Sequence, residues 1–192
     1  MTEDPFKKRP RQEQLAVRIE IARPEDWKKY KEIWLQAIKS PEREMFASTY
    51  ELIREEEKRA DEEWQGDIFK GDKLRSDMFV LLSWKDFEVV GMNRAEEEEQ
   101  GVWYLSSAYV KPEFRGGLGT RMFATRLKEI LKRGGRKVTG AVKKNNLRNI
   151  HIAEKFGFKI VGETGSGQGY LIELDLTDEK VIKKIDDVLN AG

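Results

Sequence analysis

The chain has 192 residues, a length that suits one domain with a core large enough to stand without metal or disulfide support. It has no cysteine and one histidine, His151, which excludes disulfide staples, thiolate zinc sites, cysteine nucleophiles and any multi-histidine metal centre. Lysine plus arginine (36) almost balances aspartate plus glutamate (35), so the overall field gives no reason to expect nucleic acid or a membrane as partner.

Residues 1–14 are polar, charged and proline-containing, and read as a flexible arm ahead of a single domain over 15–192. A first strand is predicted at Leu15–Ala22. Pro24, Glu25 and Asp26 suit a first helical turn, and Trp27, Tyr30, Ile33, Trp34, Ala37 and Ile38 then recur at helical spacing. Ser40-Pro41 breaks that helix, and a second helical stretch is predicted up to Ile68, with Ile53, Ala60, Trp64 and Ile68 on one side. Met78–Trp84 and Glu88–Ala95 read as a hairpin through Lys85-Asp86-Phe87; the acidic run Glu96–Glu99 and Gly101 read as a turn into the strand Val102–Val110. Beyond a glycine cluster, Leu118, Met122, Leu127, Ile130 and Leu131 trace an apolar helix stripe that Gly134-Gly135 ends. A strand at Lys137–Val142, a helix at Asn146–Phe156 and a strand at Phe158–Glu163 follow. After Gly165, Gly167 and Gly169 come a last strand, Tyr170–Leu176, and a helix capped by Asp178 that turns Val181, Ile185, Val188 and Leu189 toward the sheet. The apolar runs are too short to span a bilayer and the N-terminus lacks the apolar core of a signal peptide, so a cytoplasmic protein is expected.

Between the middle strand and the stripe the sequence reads V-K-P-E-F-R-G-G-L-G-T, from Val110 to Thr120. A strand that runs into a glycine turn and opens a helix makes an anion site, because free backbone N–H groups converge at the positive end of the helix dipole. A P-loop needs Lys followed by Ser or Thr after its last glycine, whereas Gly119 is followed by Thr120-Arg121. A dinucleotide fingerprint follows the first strand of a βαβ unit, with an acidic residue further on; here Arg136-Lys137 occupies that region. One strand later comes N-N-L-R-N-I-H-I-A-E-K-F-G-F, ending in Glu154-Lys155-Phe156-Gly157-Phe158.

In order and spacing the two blocks resemble the GNAT superfamily of acetyl-CoA-dependent N-acetyltransferases. The resemblance implies an α+β fold: a mixed, mostly antiparallel central sheet of about seven strands flanked by helices, here with an extra C-terminal helix. It implies acetyl-CoA as co-substrate, with no metal and with an amine acceptor that is a small molecule or a protein N-terminus. By that analogy the main chain of Tyr109 and Val110 holds the pantetheine arm. The turn Arg115, Gly116, Gly117, Leu118, Gly119 and Thr120 takes the pyrophosphate, with Arg115 adding charge. Asn146 and Asn149 meet the cofactor arm, Asn146 doubling as a helix N-cap. The turn is one residue shorter than the family form R-G-x-G-x-G.

Two departures concern the chemistry. Many relatives carry acids in the strand Y-L-E-D-x-Y-V, where this chain has Tyr104-Leu105-Ser106-Ser107-Ala108-Tyr109-Val110; many also carry a tyrosine acid where Ala153 stands. Tyr104 and Ser106 are then the candidate catalytic residues, as ends of a water chain. At pH 7 an α-amine is roughly one-seventh neutral and a lysine side chain neutral about once in 2,500, so a site without a strong base favours an α-amine or a small weakly basic amine. His151 is expected to be solvated. Two other readings stay open: a GNAT-fold protein that binds acyl-CoA with little catalysis, and an interaction module. Oligomeric state, a homodimer included, is left open as well.

Overall fold

The computed structural model describes residues 17–46, 50–71 and 73–191. The expected arm 1–14, the start of the first strand at Leu15 and Ala16, and Ala47, Ser48 and Thr49 of the second helical stretch lie outside the described residues. In chain order the elements are β1 (Arg18–Ile21), α1 (Trp27–Lys39), α2 (Tyr50–Lys58), α3 (Asp61–Gly66), β2 (Phe69–Lys70), β3 (Lys73–Leu74), β4 (Met78–Lys85), β5 (Glu88–Glu99), β6 (Val102–Val110), α4 (Leu118–Lys132), β7 (Lys137–Lys143), α5 (Leu147–Phe156), β8 (Lys159–Glu163), β9 (Gly169–Asp175) and α6 (Glu179–Asn190). Seven strands form one sheet in the order β1-β4-β5-β6-β7-β9-β8, and β2-β3 make a separate small hairpin. Every pairing in the large sheet is antiparallel except β6 with β7. The architecture is therefore the mixed, mostly antiparallel seven-stranded sheet that the sequence implies, with its additional C-terminal helix.

Period-two alternation along the central strands divides the core between the two faces of the sheet. Val80 and Leu82 of β4 join Tyr30, Ile33, Ala37, Trp64 and Met92 beneath α1 and α3. Phe79 and Leu81 join Trp103, Leu127, Ile130, Phe156 and Ile185, a cluster shared by α4, α5 and α6.

Four local readings change. The second helical stretch is two helices: Ala60 adopts an extended conformation (ψ 154°) and its N–H donates to the Glu63 carboxylate at 2.8 Å. The acidic run Asp61–Glu63 thus starts a new helix, and Ala60 is exposed while Trp64 and Ile68 are buried. The β2-β3 hairpin was not expected. Glu96–Glu99 belongs to β5, Met78 lying opposite Glu96, and the turn falls at Gly101, whose N–H donates to Glu97 at 2.7 Å. Finally, α6 lies chiefly along α4, joined by a 2.7 Å Lys128–Asp186 ion pair, with Val181 and Ile185 entering the shared core.

One irregularity positions everything functional. Opposite β5, Met92 pairs with Tyr109 but Arg94 pairs with Ser106, so β6 carries an extra residue, and Ser107 takes the left-handed conformation (φ 54°). On its other edge β6 pairs with β7 only over Val102–Leu105 against Lys137–Gly140. Past the bulge the two strands part. Left-handed backbone costs an L-residue about 1–2 kcal/mol and β-branched residues most of all. Ser107→Gly is expected to leave unfolding stability unchanged or raise it by up to about 1 kcal/mol, and Ser107→Val to lower it by about 1–2 kcal/mol, read from urea midpoints.

Candidate active site

The chain leaves β6 through a short 3₁₀ turn, Pro112–Phe114, whose Phe114 is buried with Val17, Val90, Leu118 and Met122. That plug anchors the following turn. Gly116 (φ 116°) and Gly117 (φ 145°) then adopt angles that side chains rarely allow. Gly117 caps α4 without any side-chain acceptor, and the first intrahelical bond is given by the Arg121 N–H to the Gly117 carbonyl at 3.0 Å. The amides of Leu118, Gly119 and Thr120 therefore precede the helical ladder, at the positive end of a 15-residue helix.

These residues border a cavity of about 610 Å³. Tyr109, Val110, Arg115, Gly116, Gly117, Gly119, Thr120, Asn146 and Asn149 all line it, whereas the Leu118 side chain is buried in the core and leaves only its main chain for binding. Arg115 is held at the wall: its Nε donates to the Val110 carbonyl (3.1 Å), and both terminal nitrogens donate to the Glu42 carboxylate, Nη1 at 2.7 Å. Those bonds hold the Glu42 carboxyl below its ordinary value of 4.5. The Asn146 side chain accepts from the Asn149 N–H at 3.2 Å and caps α5. Arg148 and the exposed His151 stand on the cavity's edge.

A second cavity, about 530 Å³, holds Tyr104, Ser106 and Ser107 together with Trp34, Lys143, Thr164, Ser166 and Gln168. Trp34 is oriented by its indole N–H, which donates to Glu56 of α2 at 3.0 Å. Burial, then the charges of Glu98 and Glu96, raise the Tyr104 hydroxyl above its ordinary value, so at neutral pH it is a proton donor and not a base. The Ser106 hydroxyl is buried without a partner among the described residues.

Met45, Ala108, Phe123, Arg126, Asn146 and Asn149 line both cavities, which meet where β6 and β7 have parted. Arg126 is not among the residues expected from the motifs. Only 2% exposed, it donates through Nη1 to the carbonyls of Arg94 and Ser106, each at 3.2 Å, and its guanidinium lies 4.9 Å from the Phe123 ring centre. Burial alone pushes its pKa down to about 9. The sequence did carry a signal: Arg126 stands four residues from both Met122 and Ile130, a charge set in the apolar stripe.

A family model described as Acetyltransferase (GNAT) family matches residues 42–158, more than half of the chain. The chain belongs to this family. Among solved structures, the PaiA N-acetyltransferase of Thermoplasma acidophilum in complex with coenzyme A is 20% identical, with a TM-score of 0.66 over 83% of this chain and 98% of that one. A GNAT-family acetyltransferase of Streptococcus pneumoniae is 19% identical, with a TM-score of 0.69 over 83% and 98%. A putative acetyltransferase of Salmonella typhimurium, solved with its cofactor acetyl-CoA, is 16% identical, with a TM-score of 0.58 over 85% and 95%. A search of curated proteins finds no match. In this GNAT member no helix among the described residues is long and apolar enough to cross a membrane.

The Glu42–Arg115 pair ties the glycine turn to the segment after α1. Because the folded-state carboxyl titrates below its ordinary value, its stabilisation is present above about pH 5 and lost as pH falls through and below 4.5. Glu42→Gln is therefore expected to lower the melting temperature at pH 7 and to match the wild type near pH 3, as read by scanning calorimetry at several pH values.

Proposed function

We propose that the chain is an acetyl-CoA-dependent N-acetyltransferase that moves the acetyl group from the CoA thioester to a primary amine by direct attack. The observation that carries this reading is the adjacency of the two cavities, which share six lining residues where the β6–β7 ladder has ended: amides ahead of the α4 ladder border one, and the other is a polar chamber. Relatives solved with coenzyme A or acetyl-CoA support the same choice of donor.

In this reading the amides from Gly116 to Thr120 hold the diphosphate, since a multiply charged oxyanion accepts several short bonds and glycine lets main chain approach it. The main chain of Tyr109 and Val110, past the end of the ladder with β7 and lining the cleft, takes the pantetheine arm, with the Val110 carbonyl also bonded by Arg115. Asn146 and Asn149 orient it at the junction. The acceptor amine enters the second cavity, its nitrogen attacks the thioester carbonyl, the N–C bond forms and the C–S bond breaks. The amine proton is released into a water chain that ends at Ser106 and Tyr104, and the departing thiolate takes a proton from that same chain, with Tyr104 on the donor side.

Among the described residues lining the second cavity there is no carboxylate to act as a base, but there are two cations, Arg126 and Lys143. A positive surrounding disfavours the ammonium form of a bound amine and so supplies neutral nucleophile without a strong base. That condition suits an α-amine or a weakly basic small amine better than a lysine side chain. The same reading places the protein in the cytoplasm. The lack of a carboxylate also favours a second reading, an acyl-CoA binder with little turnover.

Acetyl-CoA at about 100 times its dissociation constant is expected to add about 2.7 kcal/mol, raising the melting midpoint by several degrees, and Gly117→Val, strained at φ 145°, is expected to abolish most of that shift. Under saturating acetyl-CoA, α-amines are expected to react faster than lysine side chains. A melting shift without turnover across the amine panel supports the binder reading, and no shift at all contradicts both.

A further inference from the structure

Resting on the acetyl-CoA reading above, we propose that the acceptor carries a carboxylate beside the amine that is acetylated, as an amino acid does, and that Arg126 binds this carboxylate.

Arg126 is the only charged side chain that lines both cavities among the described residues. The acyl group passes from one cavity to the other, so the reacting thioester and amine meet where Arg126 stands. A guanidinium taken out of water costs several kcal/mol unless it is paired, and pairing with a planar carboxylate is its best compensation. Arg126 has no such partner among the described residues. Its recorded bonds go to two main-chain carbonyls through Nη1, and Nε is buried without a partner among the described residues. Compare Arg115 in the same cleft, whose fork is filled by Glu42. An anion brought by the ligand completes the buried arginine as Glu42 completes the other.

The chamber agrees in sign. Its titratable lining is Tyr104, Arg126 and Lys143, and Lys143 extends across its edge to Gln168 at 3.0 Å. Polycationic amines find no carboxylate among its described lining residues, the nearest acidic influence being that of Glu96 and Glu98 on Tyr104. The position of the cation sets the distance between the acceptor's two groups: a carboxylate held at the junction while the amine attacks at that same junction is separated from it by one or two carbons. Neutralising the carboxylate also lowers the pKa of the neighbouring amine toward that of a peptide α-amine, about 7.7–8.0, which raises the neutral fraction the reaction consumes.

The test pairs free L-amino acids with their carboxamides as acceptors for the full chain under saturating acetyl-CoA, with spermidine as a polycationic control. At least one free acid is expected to exceed its amide about a hundredfold in kcat/KM, because a site built to bond a group rejects the analogue lacking it. In Arg126→Gln that acid is expected to fall by about the same factor and its amide by less than about threefold, with Arg126→Lys recovering part of the loss. Amides or spermidine equal to or better than the acids overturn the proposal, as do equal losses for acid and amide in Arg126→Gln, which would assign Arg126 to the thioester. The wild-type comparison decides even where the variant does not fold. A melting shift with acetyl-CoA, measured on the same preparation, separates the two layers. A shift without carboxylate preference, or without turnover of any acceptor, overturns this inference and leaves the donor site standing. No shift removes the donor site itself.

Discussion

The parallel contact between β6 and β7 lasts four residues and then ends, and the rest of the site depends on that ending. Backbone groups inside a sheet are normally consumed by neighbouring strands. The bulge at Ser107 follows the end of the ladder with the one strand that runs beside β6 in the same direction, so that edge of β6 has no strand partner from Ser106 to Val110 among the described residues, while the Ser106 and Val110 carbonyls accept from Arg126 and Arg115. The two cavities meet at that same ending. A fully paired sheet with the same side chains would have neither an open edge beside β6 nor two cavities that meet there.

The two ends of that slot use charge differently. At the glycine turn the positive potential comes from amides and a helix dipole, held in place without side-chain charge, while Arg115 is neutralised by Glu42 and serves as a brace. At the junction the charge is a real one, Arg126, kept from water and bonded among the described residues to two main-chain carbonyls. Such a group weakens a folded protein unless something compensates it. Its retention on the buried stripe of α4 is physically reasonable if the compensation arrives with the substrate. The absence of a carboxylate from the second cavity then has a constructive meaning: a carboxylate there would quench Arg126 and raise the pKa of the bound amine.

Much of the fold was legible from periodicity. α1, β4 to β6, α4, α5 and α6 announce themselves by apolar spacing and by the caps Asn146 and Asp178, both of which bond the helix they precede. The glycine turn was legible because Gly116 and Gly117 take positive φ angles that residues with side chains rarely adopt. What stayed hidden depends on particular contacts that residue types alone do not specify. The break at Ala60 is set by Glu63 reaching back to one N–H, which a run of helix-forming residues conceals. Glu96–Glu99 reads as a turn by charge, yet β6 pairs with it at Glu96, Glu97 and Glu99, and β4 at Glu96, which holds it extended. Arg115 reads as a phosphate ligand, and what the sequence conceals is that Glu42, 73 residues earlier, bonds its fork. Arg126 is the instructive omission: its position in the stripe was visible, but its exclusion from water and its lack of a carboxylate partner are properties of packing alone.

The central claim is that coenzyme A lies between β6 and β7 with its diphosphate on the free amides that open α4. A crystal structure of the complex with coenzyme A tests it most directly. The account predicts the diphosphate within hydrogen-bonding distance of the main-chain nitrogens between Gly116 and Thr120, and the thiol at the junction beside Asn146 and Arg126. A diphosphate bound elsewhere, or a pantetheine arm running outside the gap between the two strands, would contradict it.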